Sequence, residues 1–270
     1  MNQFREVVLT SRWGRRAKEP VRRVLHRLGY ELVPTKMAEH LFIRDLIARH
    51  RVDLLLDVGA NEGQFALGMR RLGFEGEILS FEPMGEAFAA LHRHVDADPK
   101  WQAHRLALGA KPADALLHVS ANSVSSSLLS LEDLHVRAEP ASREQRQETV
   151  RVSTLDIELD AQHPQARIWL KIDVQGYETA VLSGATNVLA RCEVVQCELS
   201  FRPLYADQSD YLDVLDQLRA SGFTPVEFIP GFTDPVTGEL LQADVVAARL
   251  DGAATRINSV AGDHPRPRRK

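Results

Sequence analysis

The sequence predicts an α/β domain built on a mostly parallel sheet, and three observations carry this prediction. Short apolar runs of strand length alternate with segments of helical periodicity, an order that requires right-handed crossovers and a parallel sheet. Residues 52–58, "VDLLLDV", form a nearly continuous apolar run, as in a strand buried on both faces. Gly59 and Gly63 follow at once and indicate a turn into a helix. The 270 residues, 44% of them hydrophobic, suffice for one sizeable core with an appendage.

Strands and helices alternate through the first half of the domain. Apolar residues recur at helical spacing in each helix, Gly73 closes the second helix, and Pro83 ends the second strand. In chain order we expect a helix at 38–50, a strand at 52–58, a helix at 63–73, a strand at 76–83, a helix at 85–98 and a strand at 101–109. This series is typical of parallel βαβ units.

The middle of the chain is less regular, and the alternating order returns after it. Residues 114–130 contain a strand and a serine-rich loop, and the polar stretch at 131–148 is expected to be a loop or lid. The later elements are a strand and short helix within 149–159, a strand at 166–174, a helix within 176–192, a strand at 193–200, a helix at 211–222 and strands at 223–229 and 243–250. Prolines and glycines between the last two strands predict a hairpin, which makes the last strand antiparallel.

The two ends of the chain are basic although the whole protein carries a net charge of -4. We expect residues 1–36 to form a basic helical extension, 37–252 the main domain, and 253–270 a basic flexible tail. The apolar stripe between arginines at 21–28 fits a helix docked on the domain or on a partner subunit of a homo-oligomer. It also fits a cationic helix on an anionic membrane surface. The acidic remainder argues against specific nucleic-acid binding.

The cysteines and the apolar runs bear on the compartment. Cys192 and Cys197 lie an odd number of residues apart in one strand, so we expect them on opposite faces, unbridged and outside any disulfide framework. No apolar run is long enough to span a bilayer, and the basic N-terminus lacks the apolar core of a secretory signal. The expectation is a cytoplasmic protein, with contact to the inner membrane surface through residues 1–36 left open.

The turn after the first strand, "DVGANEGQF", points to a nucleotide-like ligand, which enters a doubly wound sheet at the carboxyl ends of its strands. Gly59 permits a sharp turn, and Gly63 lets the next helix begin close to the ligand with its amides exposed. Asn61 stands where the dinucleotide fingerprint has its second glycine, which disfavours a diphosphate. Asp57 adds a carboxylate that can accept from an ammonium. A ligand with adenosine at one end and an amino acid at the other therefore fits better than a dinucleotide.

Glu82 ends the second strand about twenty residues after the glycine turn, where an acidic residue pairs with ribose hydroxyls. Its carboxylate can accept from both of them. A lone glycine turn is often an ordinary connection between a strand and a helix. The turn, Asp57 and Glu82 together favour a nucleoside site.

These motifs resemble those of the FkbM family of S-adenosylmethionine-dependent methyltransferases. The resemblance covers residues 54–250 and includes, in order, "DVGANEGQF", "FEP", "LALG", "VRVSTLD", "LKIDVQGYE" and "CELSF". It implies a Rossmann-like class I methyltransferase fold: a seven-stranded, mostly parallel sheet with an antiparallel last strand, flanked by helices. It also implies methyl transfer, usually to oxygen. By position, it implies a cofactor site in which the methionine end of S-adenosyl-L-methionine is lined by Asp57, Gly59, Asn61, Gly63 and Gln64, the ribose by Glu82, and the adenine by Ala107 and Leu108.

Methyl transfer to an alcohol needs alignment of the acceptor oxygen, the methyl carbon and the sulfur, and a base near the acceptor. Asp173, at the end of the fourth strand, is the first candidate for the base, and Glu198, near the end of the fifth, is its neighbour. Lys171 shares the strand face of Asp173, so these two could instead form a structural ion pair. Asp173 and Glu198 could also hold a divalent cation such as Mg²⁺ against two sugar hydroxyls.

For other polar side chains a structural role is the simpler interpretation. Glu178 is expected at a helix surface or beside a lysine, and His118 and His135 in or beside a solvent-exposed loop. The serines at 123–127 could bind acceptor hydroxyls from a loop over the carboxyl edge of the sheet, or form a polar loop without a ligand. Trp169 is expected in the core.

Three classes of function remain open. The leading hypothesis is an O-methyltransferase that acts on a hydroxyl of a sugar, a glycolipid or polysaccharide, or a similar small-molecule natural product. An NAD-dependent oxidoreductase on the same sheet is the second, and Asn61 counts against it. A nucleoside-binding module without catalysis is the third, and Asp173 and Glu198 count against that. A nucleic-acid methyltransferase is disfavoured because the core is acidic and the chain lacks an Asn-Pro-Pro-aromatic or Asp-Pro-Pro-aromatic tetrapeptide.

Overall fold

The computed structural model describes residues 5–8, 30–33, 35–160 and 162–250, with side chains from residue 39 onward. The chain divides into two compact units, one of residues 1–51 with 71–74 and the other of residues 52–70 with 75–270. Within the described residues, no helix is both long and apolar enough to cross a membrane. The domain boundaries at residues 36 and 252 stay predictions.

The described residues of the first unit form two short strands and a helix. β1 (Arg5–Val8) pairs in parallel with β2 (Tyr30–Val33), and α1 covers Thr35–His50. The expectation of a helical extension before residue 37 did not include these two strands. The helical stripe predicted at 21–28 lies outside the described residues.

The described part of the second unit contains strands β3 to β12 and helices α2 to α8. The strands are β3 (Leu54–Val58), β4 (Glu77–Phe81), β5 (Trp101–His104), β6 (Ala107–Leu108), β7 (Ala113–Ser120), β8 (Glu144–Ser153), β9 (Ile168–Ile172), β10 (Cys192–Ser200), β11 (Thr224–Pro230) and β12 (Gln242–Ala248). The helices are α2 (Gln64–Arg71), α3 (Gly85–Val95), α4 (Asp133–Ala138), α5 (Leu155–Leu159), α6 (Glu178–Ser183), α7 (Thr186–Leu189) and α8 (Tyr211–Ala220).

Seven of these strands form one sheet, in the order β11-β12-β10-β9-β3-β4-β5. β12 is antiparallel to both of its neighbours, whereas the pairs from β10 through β9, β3 and β4 to β5 are all parallel. The predicted fold is therefore confirmed: a seven-stranded, mostly parallel sheet flanked by helices, with the last strand antiparallel. The hairpin of β11 and β12 follows from the proline and glycine turn between them.

The central strands are buried along their whole length, as the apolar runs predicted. Every residue of β3 and of β9 is buried. Leu54 and Leu56 on one face of β3 belong to a core that also contains Leu182 of α6, Leu189 of α7 and Leu218 of α8. The helix expected within 176–192 is divided into α6 and α7 at Gly184, where a Cβ would lie 2.0 Å from the carbonyl oxygen of Gly109.

A second sheet of three strands, in the order β6-β8-β7, is the main departure from the predicted elements. β8 begins at Glu144 and α4 covers Asp133–Ala138, so the expectation of a loop over 131–148 is wrong for these two segments. The polar sequence of this strand suggested a loop because the first half of β8 is largely exposed. In β8 only Val150, Val152 and Ser153 are buried. The strand expected at 101–109 is likewise two strands: β5 ends at His104, and β6 pairs with β8.

The two cysteines do not lie on opposite faces of β10. An irregularity in the pairing of β10 with β9 between Cys192 and Val194 inserts one extra residue, so the alternation of faces is interrupted. Cys192 and Cys197 consequently belong to the same apolar core, and both are free thiols. Spacing alone could not reveal the bulge.

Candidate active site at the carboxyl edge of the sheet

A cavity of about 380 Å³ lies at the carboxyl ends of β3, β4 and β9, a size typical of small-molecule sites. Seven of the ten predicted site residues line it: Gly59, Asn61, Gln64, Glu82, Ala107, Leu108 and Asp173. Asp57, Gly63 and Glu198 do not line the cavity, but each adjoins or is bonded to a residue that does. The fold thus brings together side chains from both halves of the domain.

Glycine is required at the first turn by geometry as well as by conformation. Gly59 has a φ of +75°, and a Cβ there would lie 1.8 Å from the carbonyl oxygen of Asp173. Gly63 has a φ of +90°, and a Cβ there would lie 2.9 Å from Leu91. The backbone N–H groups of Gly59 and Ala60 donate to the carbonyl oxygen of Phe81 at 3.0 and 3.1 Å, which ties the turn to β4. The turn therefore presents bare backbone to the cavity.

Asn61 stands at the centre of this turn with a φ of +49°, a left-handed conformation that asparagine tolerates. Its Oδ1 accepts from the backbone N–H of Glu62 at 2.8 Å, and its Nδ2 donates to Ser123 Oγ at 3.2 Å. Asn61 thereby links the glycine turn to the serine-rich segment on the other side of the cavity. The Gln64 side chain is exposed and lies 3.4 Å from Asn61 Oδ1.

Asp57 belongs to a polar row that crosses the sheet beneath the cavity. Ser80, Asp57, Lys171 and Gln196 are register partners on β4, β3, β9 and β10, and all four are buried. The Ser80 hydroxyl stands beside the fully buried Asp57 carboxylate and lowers its pKa. Neither carboxylate oxygen accepts a hydrogen bond of normal geometry from a described donor. Burial raises the pKa of Asp57 to about 6, against the opposing effect of the Lys171 ammonium.

Glu82 ends β4 in the cavity wall and holds the glycine turn in place. Its Oε2 accepts from the backbone N–H of Asn61 at 2.8 Å, and its Oε1 accepts from that of Met84 at 2.8 Å. Burial raises the pKa of Glu82 to about 7, although these two donors act in the opposite direction. Each carboxylate oxygen keeps a further lone pair for a ligand hydroxyl. Its assignment to a ribose stays a prediction.

The wall beside Glu82 is apolar. Phe81, Leu106, Ala107 and Leu108 are buried and line the cavity together, with Leu117 of β7 beside them. Because β6 leaves the main sheet to pair with β8, Ala107 and Leu108 stand where the small sheet meets the cavity. An apolar slot next to a carboxylate suits a flat base attached to a sugar.

Asp173 and Lys171 form a close ion pair in the cavity lining, at the end of β9. Lys171 Nζ lies 2.8 Å from Asp173 Oδ2, and both residues line the cavity. Burial opposes the charge on Lys171, but the carboxylates of Asp173 and Asp57 outweigh it and raise the pKa of Lys171 above its usual range. The predicted ion pair is therefore present, and it leaves Asp173 facing the cavity.

Glu198 stands next to Asp173, as predicted, but the amide of Gln175 separates the two carboxylates. Gln175 Nε2 donates to Asp173 Oδ1 at 2.7 Å and to Glu198 Oε2 at 2.8 Å. A hydrogen-bond donor at this point occupies the oxygens that a cation would need. Among the described residues, no group of three or more histidine, cysteine or acidic side chains could hold a metal ion. The alternative of a divalent cation on Asp173 and Glu198 thus finds no support here.

Other residues that the sequence interpretation left without a role lie in or behind this wall. Asp244 of β12 lines the cavity and accepts from Gln196 Nε2 at 2.6 Å. Glu178 is not at a helix surface, because it is buried and its Oε1 accepts from the backbone N–H groups of Val174 and Gly176 at 3.2 and 3.1 Å. The antiparallel return of β12 carries Asp244 to the cavity, and no local motif announces it.

The serine-rich segment covers the carboxyl edge of the sheet, as predicted. Ser123, Ser126 and Ser127 line the cavity. His135 is not exposed as expected: it is buried in α4, and burial lowers its pKa to about 4. His118 is half-buried, and its Nδ1 lies 2.7 Å from Glu144 Oε2. Trp169 is fully buried in the core, as predicted. Whether the serines bind an acceptor stays a prediction.

The sheet order and the glycine turn at the carboxyl end of β3 define the class I methyltransferase fold. A family model described as "Methyltransferase FkbM domain" matches residues 57–225, more than half of the chain. The chain belongs to the FkbM family of methyltransferases, which use S-adenosylmethionine. This bears out the resemblance that the motifs carried. No curated protein sequence matches the chain at a significant level.

Solved structures of similar fold are distant in sequence. The FkbM methyltransferase of Methylobacillus flagellatus KT aligns with 10% identity and a TM-score of 0.43, over 90% of this chain and 73% of that one. The methyltransferase domain of METTL16 aligns with 10% identity and a TM-score of 0.45, over 80% and 68%. Aeropyrum pernix fibrillarin, in complex with natively bound S-adenosyl-L-methionine, aligns with 12% identity and a TM-score of 0.41, over 73% and 66%.

The described residues fit the cofactor of this family. Gly59 lines the cavity without a side chain, so its backbone is open to a ligand. The carboxylate of Asp57 is buried without a described hydrogen-bond donor, as expected of a group that awaits a cationic ligand or a bridging water. Glu82 and the apolar residues of β6 line the same cavity, as the predicted ribose and adenine contacts require.

Proposed function

We propose that the protein is an S-adenosylmethionine-dependent O-methyltransferase that acts on a hydroxyl of a sugar, a glycolipid or polysaccharide, or a similar small-molecule natural product. The observation that carries this proposal is the cavity itself. Gly59, Glu82, the apolar residues of β6 and Asp173 all line it. Cofactor and acceptor groups would thus meet in a single space.

In this proposal each side chain has a defined task. S-adenosylmethionine, when bound, supplies an electrophilic methyl group on a sulfonium sulfur. Asp57, Gly59, Asn61, Gly63 and Gln64 would surround its methionine end, Glu82 would accept from the ribose hydroxyls, and Ala107 and Leu108 would contact the adenine. Asp173 would accept the proton that the acceptor hydroxyl loses as its oxygen bonds to the methyl carbon. Lys171 stabilises the negative charge of Asp173 before that transfer.

The charged side chains that line the cavity near Asp173 support a hydroxyl group as the methyl acceptor. Asp173 and Asp244 both line the cavity, and Lys171, also in the wall, is paired with Asp173. Carboxylates accept hydrogen bonds from hydroxyl groups and repel phosphates. A polyol such as a sugar therefore suits this wall better than a nucleic-acid backbone. A glycan or other small-molecule acceptor, and peripheral membrane contact or self-association through residues 1–36, remain proposals.

The first test is calorimetric titration with S-adenosylmethionine, S-adenosylhomocysteine and NAD, with and without magnesium. We expect both sulfur nucleosides to bind, NAD not to bind, and magnesium to have no effect. Binding of NAD alone would contradict the cofactor assignment.

A methyl-transfer assay with labelled cofactor and a panel of glycans and glycolipids then tests the reaction. We expect Asp173→Asn to lower turnover roughly a hundredfold or more, in the range of a lost general base, with cofactor affinity nearly unchanged. Asp216→Asn, at an exposed position on α8, is the matched control and should behave as wild type. Unaltered turnover in Asp173→Asn would remove this residue from the mechanism, and cofactor binding without transfer to any acceptor would favour a non-catalytic nucleoside-binding module.

A further inference from the structure

The side chain of Gln175, in the cavity lining, makes three hydrogen bonds. Its Nε2 donates to Asp173 Oδ1 at 2.7 Å and to Glu198 Oε2 at 2.8 Å, which uses both amide protons. Its Oε1 accepts from the Tyr205 hydroxyl at 2.6 Å. This orientation of the amide is favoured, because a flipped amide would place an oxygen against the carboxylate of Asp173.

The backbone at Gln175 has a left-handed conformation that glutamine rarely adopts. Gln175 has a φ of +57° and is only 8% exposed. This left-handed region favours glycine or asparagine, and a longer side chain pays a conformational cost. A glutamine that bears this cost in a cavity wall is typical of a residue kept for its side chain. Its carbonyl oxygen also accepts from Ser127 Oγ at 2.7 Å, which joins it to the serine-rich segment.

Gln175 supplies the second of two donors that hold the Asp173 carboxylate. Lys171 binds Oδ2 and Gln175 binds Oδ1, so the carboxylate cannot rotate about its terminal torsion without losing one of them. Each oxygen can still accept a second hydrogen bond. Asp173 is thereby held in one orientation and yet remains able to receive the proton of an acceptor hydroxyl.

Glu198 is placed to anchor Gln175 rather than to meet an acceptor. It is absent from the cavity wall, and its Oε2 accepts from Gln242 Nε2 at 2.7 Å as well as from Gln175. Burial and the carboxylates of Asp173 and Glu178 raise the pKa of Glu198 well above its usual range.

We propose that Gln175 is a positioning residue, which holds Asp173 in its reactive orientation, and that Glu198 and Tyr205 act through Gln175 without contact with the acceptor. This inference rests on the proposed function for its kinetic consequences only. The hydrogen-bond arrangement can be tested without an acceptor. It revises the sequence-based prediction that Glu198 is itself catalytic.

The first experiment observes the Gln175 side-chain amide by ¹⁵N NMR of the full-length protein. Its signals are assigned by their loss in Gln175→Met. We expect two downfield, slowly exchanging protons, and we expect Glu198→Ala to return one of them toward ordinary positions and fast exchange. Ordinary shifts and fast exchange of both protons in the wild type would overturn the proposal. Because no acceptor is present, this result does not depend on the proposed reaction.

The second experiment measures turnover with the acceptor found by the methyl-transfer screen. We expect Gln175→Met to lower kcat roughly tenfold to a hundredfold, the range for a misplaced catalytic group, with cofactor affinity changed less than about threefold. Tyr205→Phe, which removes only a hydroxyl, should lower kcat in the same direction and less than additively with Gln175→Met. Gln102→Met, at an exposed position on β5, is the control.

Glu198→Gln distinguishes an anchor from a proton acceptor. The amide oxygen can accept the hydrogen bonds of Gln175 and Gln242, so we expect kcat within about threefold of the wild type, whereas Glu198→Ala should resemble Gln175→Met. Loss of kcat in Glu198→Gln as large as in Asp173→Asn would overturn the positioning role. Wild-type kcat in both Gln175→Met and Tyr205→Phe would do the same.

Discussion

Replacement of Gly59 by alanine should separate the two reasons for glycine at the cofactor turn. A residue with a Cβ is strained at a φ of +75°, and the Cβ would also lie 1.8 Å from the carbonyl oxygen of Asp173. The conformational cost is about 1–2 kcal/mol. This distance must lengthen by more than 1 Å to reach 3.0 Å, the shortest contact that Cβ atoms make in proteins. Overpacking of this kind lowers the unfolding free energy by about a further 1–3 kcal/mol.

The hairpin supplies a matched control for this substitution. Gly238 has a φ of +74°, and a Cβ there would meet nothing within 4 Å. Gly238→Ala should therefore lose about 1–2 kcal/mol of unfolding free energy from conformation alone, and its affinity for S-adenosylmethionine should not change. Gly59→Ala should lose more unfolding free energy. Its affinity for S-adenosylmethionine should fall roughly tenfold or more, because Gly59 lines the cavity and the added methyl group would displace Asp173.

Urea denaturation gives the two unfolding free energies, and calorimetric titration gives the two affinities. The difference between the variants is the informative quantity, since the conformational cost cancels in it. Equal destabilisation of Gly59→Ala and Gly238→Ala, together with unchanged cofactor affinity in both, would refute the steric argument.

Three further predictions follow from the buried groups. Glu82→Ala should weaken S-adenosylmethionine binding roughly tenfold or more by calorimetry, because two backbone N–H groups and the proposed ribose contact lose their acceptor. The exposed Glu86→Ala on α3 should not weaken it, and equal affinities would remove the ribose assignment. Burial raises the pKa of Asp57 from 3.8 to about 6, so the folded state binds more protons than the unfolded state in that window. The unfolding free energy should therefore fall as pH rises through it, and Asp57→Asn should abolish a fall on the order of 3 kcal/mol; parallel pH curves for variant and wild type would exclude this linkage. Burial raises the pKa of Cys192 and of Cys197, so a thiol reagent should modify them only after denaturation, and rapid modification of the native protein would contradict their placement.

Much of the fold could be predicted because its signals are local. The apolar run of β3, the glycines after it and Glu82 at the end of β4 lie within thirty residues of one another, and each obeys a rule that neighbouring letters satisfy. Parallel strands bring their carboxyl ends to one edge, so these residues had to meet. The sequence pattern therefore predicted that the glycine turn and Glu82 lie in one cavity.

Long-range pairing defeated the same rules elsewhere. β8 reads as a polar loop because its first half pairs with β7 but remains exposed, so no apolar alternation marks it. A single extra residue between Cys192 and Val194 reverses the faces that spacing assigned to the cysteines. His135 belongs to a polar stretch, and only its packing against Tyr205 and Phe232 makes it a buried group.

The sequence by itself determined the class of fold, the family and the position of the glycine turn, since all three depend on short motifs in a definite order. Only the tertiary structure decided how the hydrogen bonds around Asp173 are organised. Gln175, Glu198, Tyr205 and Gln242 come from separate elements, and their hydrogen bonds exist because β9, β10 and the antiparallel β12 lie side by side. Hydrogen bonds depend on distances of a few tenths of an ångström, which close packing sets and the order of residues does not.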